Sequence, residues 1–472
     1  PFHMPGHKRQ AGRGSLPAAL PWGIDITEIE GFDNLHHAEG ILKEGMDRAA
    51  LLYGSRRAFF SVGGSTAGVL SAVFAAAFPG DTVLMGRNCH KSVYHAVLLR
   101  GLKPLYIYPR RDPDTGIALC YDPMDIREIA DRHPEIRAVI LTSPTYEGVV
   151  SDIGTISAIL HRRNIPLIVD EAHGAHLSGK NRPWGFPCGA VAQGADVVIQ
   201  SLHKTLPSLT QTGLVHLCSR RIEEDELSRY MGMFQTSSPS YILMASIDSC
   251  IRFLCSDEGT LAMQVFYDRV KNLREVLKKY TRIRLQELSG AEPSKLVVKA
   301  EGMSGRELYE LFLDKYHIQA EMCTDSYLLL MTGMFDTDEM YDRLYLAFQE
   351  TEDYLCCRER KENDADREMN GRGNTGSEQA PSVCDCPAVC PHQVMIPAEA
   401  DKMEMEEIPL AQSAHRISGE YAYQYPPGIP LLVPGEEIDE EILQKLMEDE
   451  RRGLHIQGLK NHDGSYIRVV RQ

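Results

Sequence analysis

Residues 195–205 read ADVVIQSLHKT, an apolar run followed at once by a polar turn that contains a lysine. Val197–Ile199 is short and β-rich, which is typical of a buried strand, and Lys204 comes shortly after it. A lysine in this place can point into the crevice at the end of a sheet, where burial lowers its pKa and makes the amine nucleophilic. An isolated Ser-x-His-Lys is usually a solvated lysine, so the segment gains meaning only from the rest of the chain.

Short β-rich runs alternate with helical stretches from about Arg57 to Leu217. This alternation predicts an α/β fold with a mostly parallel sheet. Ligands of such sheets collect at the carboxyl ends of the strands, and the unusual residues of this chain follow those ends. The predicted strands are Ala58–Val62, Thr82–Met85, Pro104–Tyr108, Ala138–Leu141, Leu167–Val169 and Val197–Ile199.

Asp170 ends another buried apolar run and lies upstream of Lys204. An ionised carboxylate there can pair with the pyridine nitrogen of pyridoxal 5′-phosphate (PLP) and keep the ring an electron sink, while a lysine amine bonds the cofactor aldehyde. The alternative is an aspartate that caps the next helix. The two segments together are much more specific for PLP than either one alone.

Ser65 and Thr66 follow a predicted strand and two glycines and open an Ala-rich helix. Backbone N–H groups at such a helix start, with the two hydroxyls, make an anion cradle that suits a phosphate. The alternative is an ordinary glycine turn with a Ser/Thr cap. The segment lacks the Lys-Ser/Thr ending of a P-loop and the spacing of a dinucleotide fingerprint, which disfavours ATP and NAD.

His90 belongs to the segment Gly86–Ser92, again after a predicted strand. Its ring can lie flat on the pyridine ring, and the alternative is a surface histidine that opens a helix. A nucleophile, a carboxylate, a phosphate cradle and a stacking ring thus come from four strand ends of one domain. Their agreement predicts a PLP site.

The composition narrows the class of protein. At 472 residues the chain exceeds a single core of about 250–300 residues, so we expect a large and a smaller domain. A net charge of −16 argues against a nucleic-acid partner and suits a small cationic substrate. No apolar run of about 18 residues is present, so we expect no membrane partner and a cytoplasmic location. The chain starts at Pro1 without a methionine, and we expect a few residues to precede it.

The chain is predicted to have an N-terminal segment (1–55), a large domain with a following layer (56–350), a linker (356–392) and a small C-terminal α/β domain (393–472). The linker is poor in large apolar residues and is predicted not to order itself. The following layer is predicted to be mostly helical over Glu223–Glu350, with strands near Lys295–Val298 and Tyr327–Met331. In the C-terminal domain we predict helices at Ile408–Ile417 and Glu437–Glu448, a rigid turn at Tyr425–Pro430 and a hairpin turn at Asp463-Gly464.

Twelve cysteines occur, mostly singly in apolar segments, which is typical of reduced thiols rather than disulfides. Within the linker, Cys384, Cys386, Cys390 and His392 are four potential zinc ligands. Structural zinc sites usually use two well-separated ligand pairs, so no metal site is predicted here. A metal-regulated assembly through this tract stays open as an alternative.

The order of these motifs resembles the fold-type I PLP decarboxylases for ornithine, lysine and arginine, in the shorter bacterial form without an N-terminal wing domain. The resemblance covers most of the chain outside the linker. It implies a PLP-transferase-like large domain of the aspartate aminotransferase type. The matching segments are FHMPGHK (2–8), GSTAG (64–68), RNCHKS (87–92), SPTYEG (143–148), DEAHGAH (170–176), SLHK (201–204) and YPPGIPLLVPGE (425–436).

The resemblance also assigns roles to residues. It implies that Lys204 bonds the cofactor aldehyde, that Asp170 pairs with the ring nitrogen and that His90 stacks on the ring. Ala172 and His173 would lie against the other ring face or the 3′-oxygen, although longer relatives have Trp in place of His173. The phosphate would be held by Ser65, Thr66, Ser201 and His203.

Two further regions acquire roles from the same resemblance. The loop 234–241, with Thr236 and Ser237, would reach the phosphate of a neighbouring subunit, which implies at least a homodimer. Glu436 would bind the distal cationic group of the substrate. Its alternative is an acid near the start of the following helix.

The sequence therefore predicts PLP-dependent decarboxylation of a basic amino acid, with Lys204 or His203 as proton donor to the substrate carbon. Arginine, lysine and ornithine stay undistinguished, although the short architecture favours arginine or lysine. Two alternatives stay open: another fold-type I enzyme such as an aminotransferase or acyltransferase, and a non-catalytic regulatory homologue. An aminotransferase would anchor the substrate carboxylate with an arginine, whereas a decarboxylase leaves it in a weakly solvated pocket.

Overall fold

The computed structural model describes residues 20–179, 184–369, 391–424, 428–451, 456–461 and 464–471. Within these residues the largest sheet has seven strands. Along the chain they are β1 (Arg57–Ser61), β2 (Thr82–Gly86), β3 (Lys103–Ile107), β4 (Ile136–Thr142), β5 (Leu167–Asp170), β6 (Val197–Ser201) and β7 (Gly213–Leu217).

The spatial order of the strands is β1-β7-β6-β5-β4-β2-β3. The pairs from β6 to β3 are parallel, whereas β7 runs antiparallel to both β6 and β1. The α/β fold with a mostly parallel sheet and all six predicted strands are confirmed. Strand β7 is not among the predicted strands. Its antiparallel direction could not be predicted either, because the sequence of its five residues does not encode direction.

Helices cover both faces of this sheet, and β6 is buried along its whole length. Burial on both faces explains why the strands are continuous apolar runs rather than alternating ones. Helices α2, α3 and α7 contribute to the apolar cluster on one face, and α1, α4, α5, α8 and α9 contribute to the other. The helices are α1 (Ile41–Tyr53), α2 (Gly64–Ala76), α3 (Lys91–Arg100), α4 (Pro123–Arg132), α5 (Ile153–His161), α6 (Leu202–Thr205), α7 (Glu224–Phe234), α8 (Tyr241–Cys255) and α9 (Asp257–Leu277).

Helix α2 lies unusually close to the sheet because of Gly68. A Cβ atom on Gly68 would lie 2.6 Å from Val215 Cγ2 and 2.9 Å from Ile199 Cγ2. Any larger residue would push α2 away from β6 and β7. The glycine therefore fixes where the start of α2 lies relative to the end of β6.

A second, four-stranded sheet follows, in the order β10-β11-β9-β8. Its strands are β8 (Ile283–Leu285), β9 (Lys295–Ala300), β10 (Met322–Cys323) and β11 (Leu328–Met331), and it packs with α10 (Gly305–Tyr316) and α11 (Asp338–Met369) around a third apolar cluster. The predicted strands at 295–298 and 327–331 are confirmed. Helix α11 continues to Met369, so the prediction that the linker is unordered from Cys356 is wrong for residues 356–369.

The C-terminal part has its own apolar cluster and two small antiparallel sheets. The predicted helix at 408–417 is wrong, because Ile408 and Pro409 pair with a strand near the chain end and a 3-10 turn at Leu410–Gln412 follows. Asp463 of the predicted hairpin turn lies outside the described residues, and β15, which follows that turn, pairs with β12. The elements are α12 (Pro397–Ala400), β12 (Met405–Pro409), β13 (Ala422–Gln424), β14 (Ile429–Leu432), α13 (Glu440–Arg451) and β15 (Tyr466–Val470).

The predicted helix at 437–448 is confirmed as α13, displaced by three residues. Residues 425–427 of the predicted rigid turn, and Cys384, Cys386 and Cys390 of the Cys-rich tract, lie outside the described residues. Where the chain is described, it holds no group of three or more His, Cys, Asp or Glu placed to bind a metal ion. None of the described helices combines the length and apolar composition needed to cross a membrane.

Candidate active site

A cavity of about 290 Å³ lies where the carboxyl ends of the parallel strands face the second sheet. His90 follows β2, Tyr146 follows β4, His173 follows β5 and Lys204 follows β6. This is the edge at which doubly wound sheets bind their ligands. The residues that line the cavity are His90, Tyr146, His173, His203, Lys204, Glu321 and Met331.

Lys204 lies on the one-turn helix α6, directly after β6. Its Nζ atom is 3.0 Å from Nε2 of His173. Burial lowers the pKa of Lys204, and the carboxylates of Asp170 and Glu321 oppose that shift. A lysine held in this way is closer to the neutral, nucleophilic amine than a surface lysine is.

Asp170 is the last residue of β5 and is 4% exposed. Its Oδ1 accepts a hydrogen bond from the backbone N–H of Ala172 at 3.1 Å. Burial raises the pKa of Asp170, and the positive charge of Lys204 opposes the increase. A buried carboxylate with so little compensation favours a cationic partner nearby.

His90 caps the start of α3 with its side chain, because its Nδ1 accepts from the backbone N–H of Ser92. Burial lowers the pKa of His90 to about 4, and the neighbouring Lys204 lowers it further. The ring is therefore neutral over most of the pH range. His203 is held by a 3.0 Å contact between its Nδ1 and the carbonyl oxygen of Thr212.

The start of α2 lies beside the end of β6. Ser201 pairs with Gly213, and a Cβ atom on that glycine would lie 3.5 Å from the backbone nitrogen of Ser65. No side chain caps the first turn of α2, and Ser201 Oγ is buried without a hydrogen-bond partner among the described residues. Ser65 is half-buried and Thr66 is exposed at this helix start. Free N–H groups beside an unsatisfied hydroxyl are what a phosphate group requires.

Sequence comparison decides the family. The model of the Orn/Lys/Arg decarboxylase major domain matches residues 1–297, and the model of the Orn/Lys/Arg decarboxylase C-terminal domain matches residues 383–467. The chain belongs to the Orn/Lys/Arg decarboxylase family.

Relatives extend along almost the whole chain. The chain is 32% identical to an uncharacterized Bacillus subtilis protein, YaaO, over 97% of this chain and 92% of that protein. It is 29% identical to the arginine decarboxylase of Bacillus subtilis, over 100% of this chain and 94% of that one. The constitutive lysine decarboxylase of Escherichia coli has a similar fold, with a TM-score of 0.73, 21% identity, and coverage of 92% of this chain and 74% of that chain.

In this Orn/Lys/Arg decarboxylase family member, Glu436 does not line the described cavity. It is fully buried, its Oε2 lies 3.1 Å from a guanidinium nitrogen of Arg87, and it accepts from the backbone N–H of Val433. Burial raises the pKa of Glu436 to about 7, and Arg87 opposes the increase. Within one chain the carboxylate thus joins the C-terminal part to the strand-end segment 87–92. The alternative role of Glu436, as an acid at the start of the following helix, does not apply, since α13 begins only at Glu440.

Thr236 and Ser237 also lie away from this cavity. Both are exposed in the loop after α7, and the carbonyl oxygen of Thr236 lies 2.9 Å from Nε2 of His36. The structure of one chain therefore brings together His90, Asp170, Ala172, His173, Ser201, His203 and Lys204, with Ser65 and Thr66 at the adjoining helix start, but not Thr236, Ser237 or Glu436.

Sequence reasoning missed three residues that line the cavity. Tyr146 lies in the family segment 143–148, and its ring centroid is 4.6 Å from that of His173. Glu321 lies directly before β10 and accepts a hydrogen bond from the Tyr146 hydroxyl, and Met331 is the last residue of β11. The segment that holds Glu321 shows no turn chemistry or motif, so no local signal could have placed it.

Proposed function

We propose that this chain decarboxylates a basic amino acid with PLP as cofactor. The observation that carries the proposal is the part-buried amine of Lys204 beside the buried carboxylate of Asp170, in a cavity whose described lining residues include no arginine. An aminotransferase would anchor the substrate carboxylate with a guanidinium at such a site. The family and the named arginine decarboxylase relative support the same reaction.

The residues present fit PLP. The uncapped start of α2 and the orphan hydroxyl of Ser201 suit the phosphate, and the under-compensated carboxylate of Asp170 suits a protonated pyridine nitrogen. The neutral ring of His90 suits stacking on the pyridine plane. When bound, PLP supplies an electron sink for the charge left on the substrate carbon as CO₂ departs.

The side chains around the cavity have separate roles in holding the cofactor and in proton transfer. Lys204 would hold the cofactor through its aldehyde, and once displaced and protonated to the ammonium form by the incoming substrate ammonium it would be placed to donate a proton to the substrate carbon. Asp170 would stabilise positive charge at the ring nitrogen, and His203, which lies near Lys204, would be the alternative proton donor in its protonated form. The described lining of the cavity includes no arginine that would anchor the substrate carboxylate, and Met331 supplies an apolar side chain there.

Glu321 is the carboxylate that lines the described cavity, and we assign it to the cationic part of the substrate. Its charge, with the net charge of the chain, favours lysine, ornithine or arginine over acidic amino acids. The exposed Thr236 and Ser237 are then available to a neighbouring copy of this chain, which supports a homodimer with shared sites.

The test supplies arginine, lysine and ornithine together to the purified, PLP-loaded full chain and measures trapped CO₂ and amine products. We expect release of CO₂ with one matching amine. Lys204→Ala should lose the visible absorbance of bound PLP and at least about 10³-fold in rate, whereas exposed Lys279→Ala should lose neither. A 2-oxo acid product without CO₂ would identify an aminotransferase, and PLP absorbance without any product would identify a non-catalytic homologue.

A further inference from the structure

A second buried lysine lies behind the cavity, and the roles assigned above do not use it. Lys295 is the first residue of β9 and is 2% exposed. Its Nζ atom lies 3.1 Å from Nδ1 of His173, while Nε2 of the same ring lies 3.0 Å from Nζ of Lys204. The imidazole of His173 thus bridges two lysine amines.

The surroundings of Lys295 favour its charged form. Glu292 is fully buried on the same segment, and Glu147 is a buried acid of the family segment 143–148. Burial lowers the pKa of Lys295 to about 8; Glu292, Glu321 and Glu147 raise it, whereas Lys204 lowers it further. Three carboxylates against one amine favour an ammonium at Lys295 at neutral pH.

The hydrogen bonds on the two sides of His173 limit where protons can be. A neutral imidazole has one N–H and one lone pair, and an ammonium can only donate. Two ammonium groups therefore cannot both bond to a single neutral ring, so one of the two lysines is a neutral amine that accepts. A doubly protonated ring is strongly disfavoured, because burial and then the positive charge of Lys295 lower the pKa of His173 well below its usual value.

We propose that Lys295 is a positioning residue that determines which nitrogen atoms of His173 and Lys204 carry protons. As an ammonium it donates to Nδ1 of His173 and fixes the ring as the Nε2–H tautomer, so that the ring donates to Lys204 and keeps that amine neutral. The hydrogen-bond assignment follows from the contacts and charges around His173 and does not depend on the proposed function. Its consequence for catalysis, a Lys204 ready to bond the cofactor aldehyde at neutral pH, rests on the proposed function.

The roles differ because the two lysines face different charges. The carboxylates of Asp170 and Glu321 favour a charged Lys204. We assign Asp170 to the pyridine nitrogen, so its charge is compensated there once PLP is bound. The carboxylates of Glu292 and Glu147 stay near Lys295 whether or not PLP is bound, because both are buried and neither lines the cavity. Lys295 is therefore the amine that retains its proton throughout.

The first experiment measures how fast the cofactor-free full chain captures PLP as a function of pH, followed by absorbance. The variants are Lys295→Met, which keeps the length without the charge, Lys295→Arg, which keeps the charge, and Lys299→Met, the matched control on the same strand. In Lys295→Met the His173 ring can turn to the Nδ1–H tautomer and accept from a protonated Lys204. We expect the midpoint of capture to rise by about one pH unit or more, which is about tenfold slower capture below it.

Lys295→Arg should return the midpoint to the wild-type value, and Lys299→Met should leave it unchanged. A role in packing alone predicts the opposite order, with Met tolerated and the bulkier Arg harmful. A Lys295→Met midpoint equal to that of the wild type overturns the proposal.

The second experiment needs no variant at Lys295. Nitrogen-15 NMR of the histidine-labelled full chain, with the His173 signal assigned by its loss in His173→Gln, reports which ring nitrogen carries the proton. We expect Nε2–H in the wild type, and Nδ1–H would overturn the proposal even if Lys295→Met fails to fold. If the wild type captures no PLP, the proposed function fails, but the tautomer still decides this inference.

Discussion

Gly148 and Lys295 are in direct contact: a Cβ atom on Gly148 would lie 2.7 Å from Cγ of Lys295. Gly148 has φ +97°, in the left-handed region that favours glycine. The glycine of the family segment 143–148 is thus what allows the buried lysine to reach His173.

Gly148→Ala should destabilise the protein by about 2–4 kcal/mol, from backbone strain and from the clash with Lys295. Gly116→Ala is the matched control, because Gly116 has φ +71° but no atom within 4 Å of its added Cβ. We expect the control to cost only about 1–2 kcal/mol. Urea unfolding of both variants measures the difference, and equal losses would argue against the contact.

Glu321→Gln should raise KM for the basic substrate about tenfold with a smaller change in kcat, because it removes a charge that attracts the substrate cation. Glu310→Gln on α10, an exposed acid paired with Arg306, is the control and should leave KM unchanged. Steady-state kinetics on the preferred substrate provide the measurement. An unchanged KM in Glu321→Gln would assign the substrate cation to another residue.

Asp170→Asn should lower kcat/KM by about 10²–10³-fold while leaving the cofactor-free protein at least as stable as the wild type. The reason is that burial raises the pKa of Asp170, so the charged form is unfavourable until a cation is bound. Exposed Asp225→Asn serves as the control. A loss of stability in cofactor-free Asp170→Asn would show that the carboxylate has a structural role instead.

The buried His216 should make the free energy of unfolding depend on pH. Its Nδ1 lies 3.0 Å from Ser55 Oγ, its Nε2 lies 3.2 Å from Gln200 Oε1, and burial lowers its pKa to about 3. The unfolded chain binds the proton more readily, so stability is full above about pH 6.5 and falls as pH drops toward about 3.

At about pH 5 the loss from this one ring should be about 2 kcal/mol. His216→Gln keeps a donor for Gln200 and should flatten that part of the pH dependence, whereas exposed His133→Gln should not. Denaturant unfolding at two pH values measures the effect. Parallel pH profiles for wild type and His216→Gln would contradict the assignment.

The strands and the residues at their ends could be predicted because the signals are local. Val197–Ile199 is a buried apolar run, and the Ser-x-His-Lys turn that follows it is recognisable as a candidate site from these few residues. The partners from the second sheet could not be predicted, since Lys295 and Glu321 approach the cavity only through the docking of one sheet against another. No spacing in the sequence encodes that contact.

Two errors show how distant contacts override local composition. The local sequence predicts a helix at Ile408 and Pro409, but these residues belong to β12, which pairs with β15 near the chain end. The scarcity of large apolar residues predicts no ordered structure for residues 356–369, but α11 continues through them and Arg358 donates to the carbonyl oxygen of Gly302. In both cases the deciding contact lies more than fifty residues away.

The guanidinium of Arg87 bears on how this chain can be dissected. It donates to the carbonyl oxygens of Pro430 and Leu431 as well as to Glu436, and Val433 packs into the apolar cluster around α2 and α3. A chain truncated before Gly428 would lack all three acceptors and would expose an apolar patch on the remaining fragment. Such a fragment should aggregate on expression, so crystallisation and assay work need the C-terminal part of the chain.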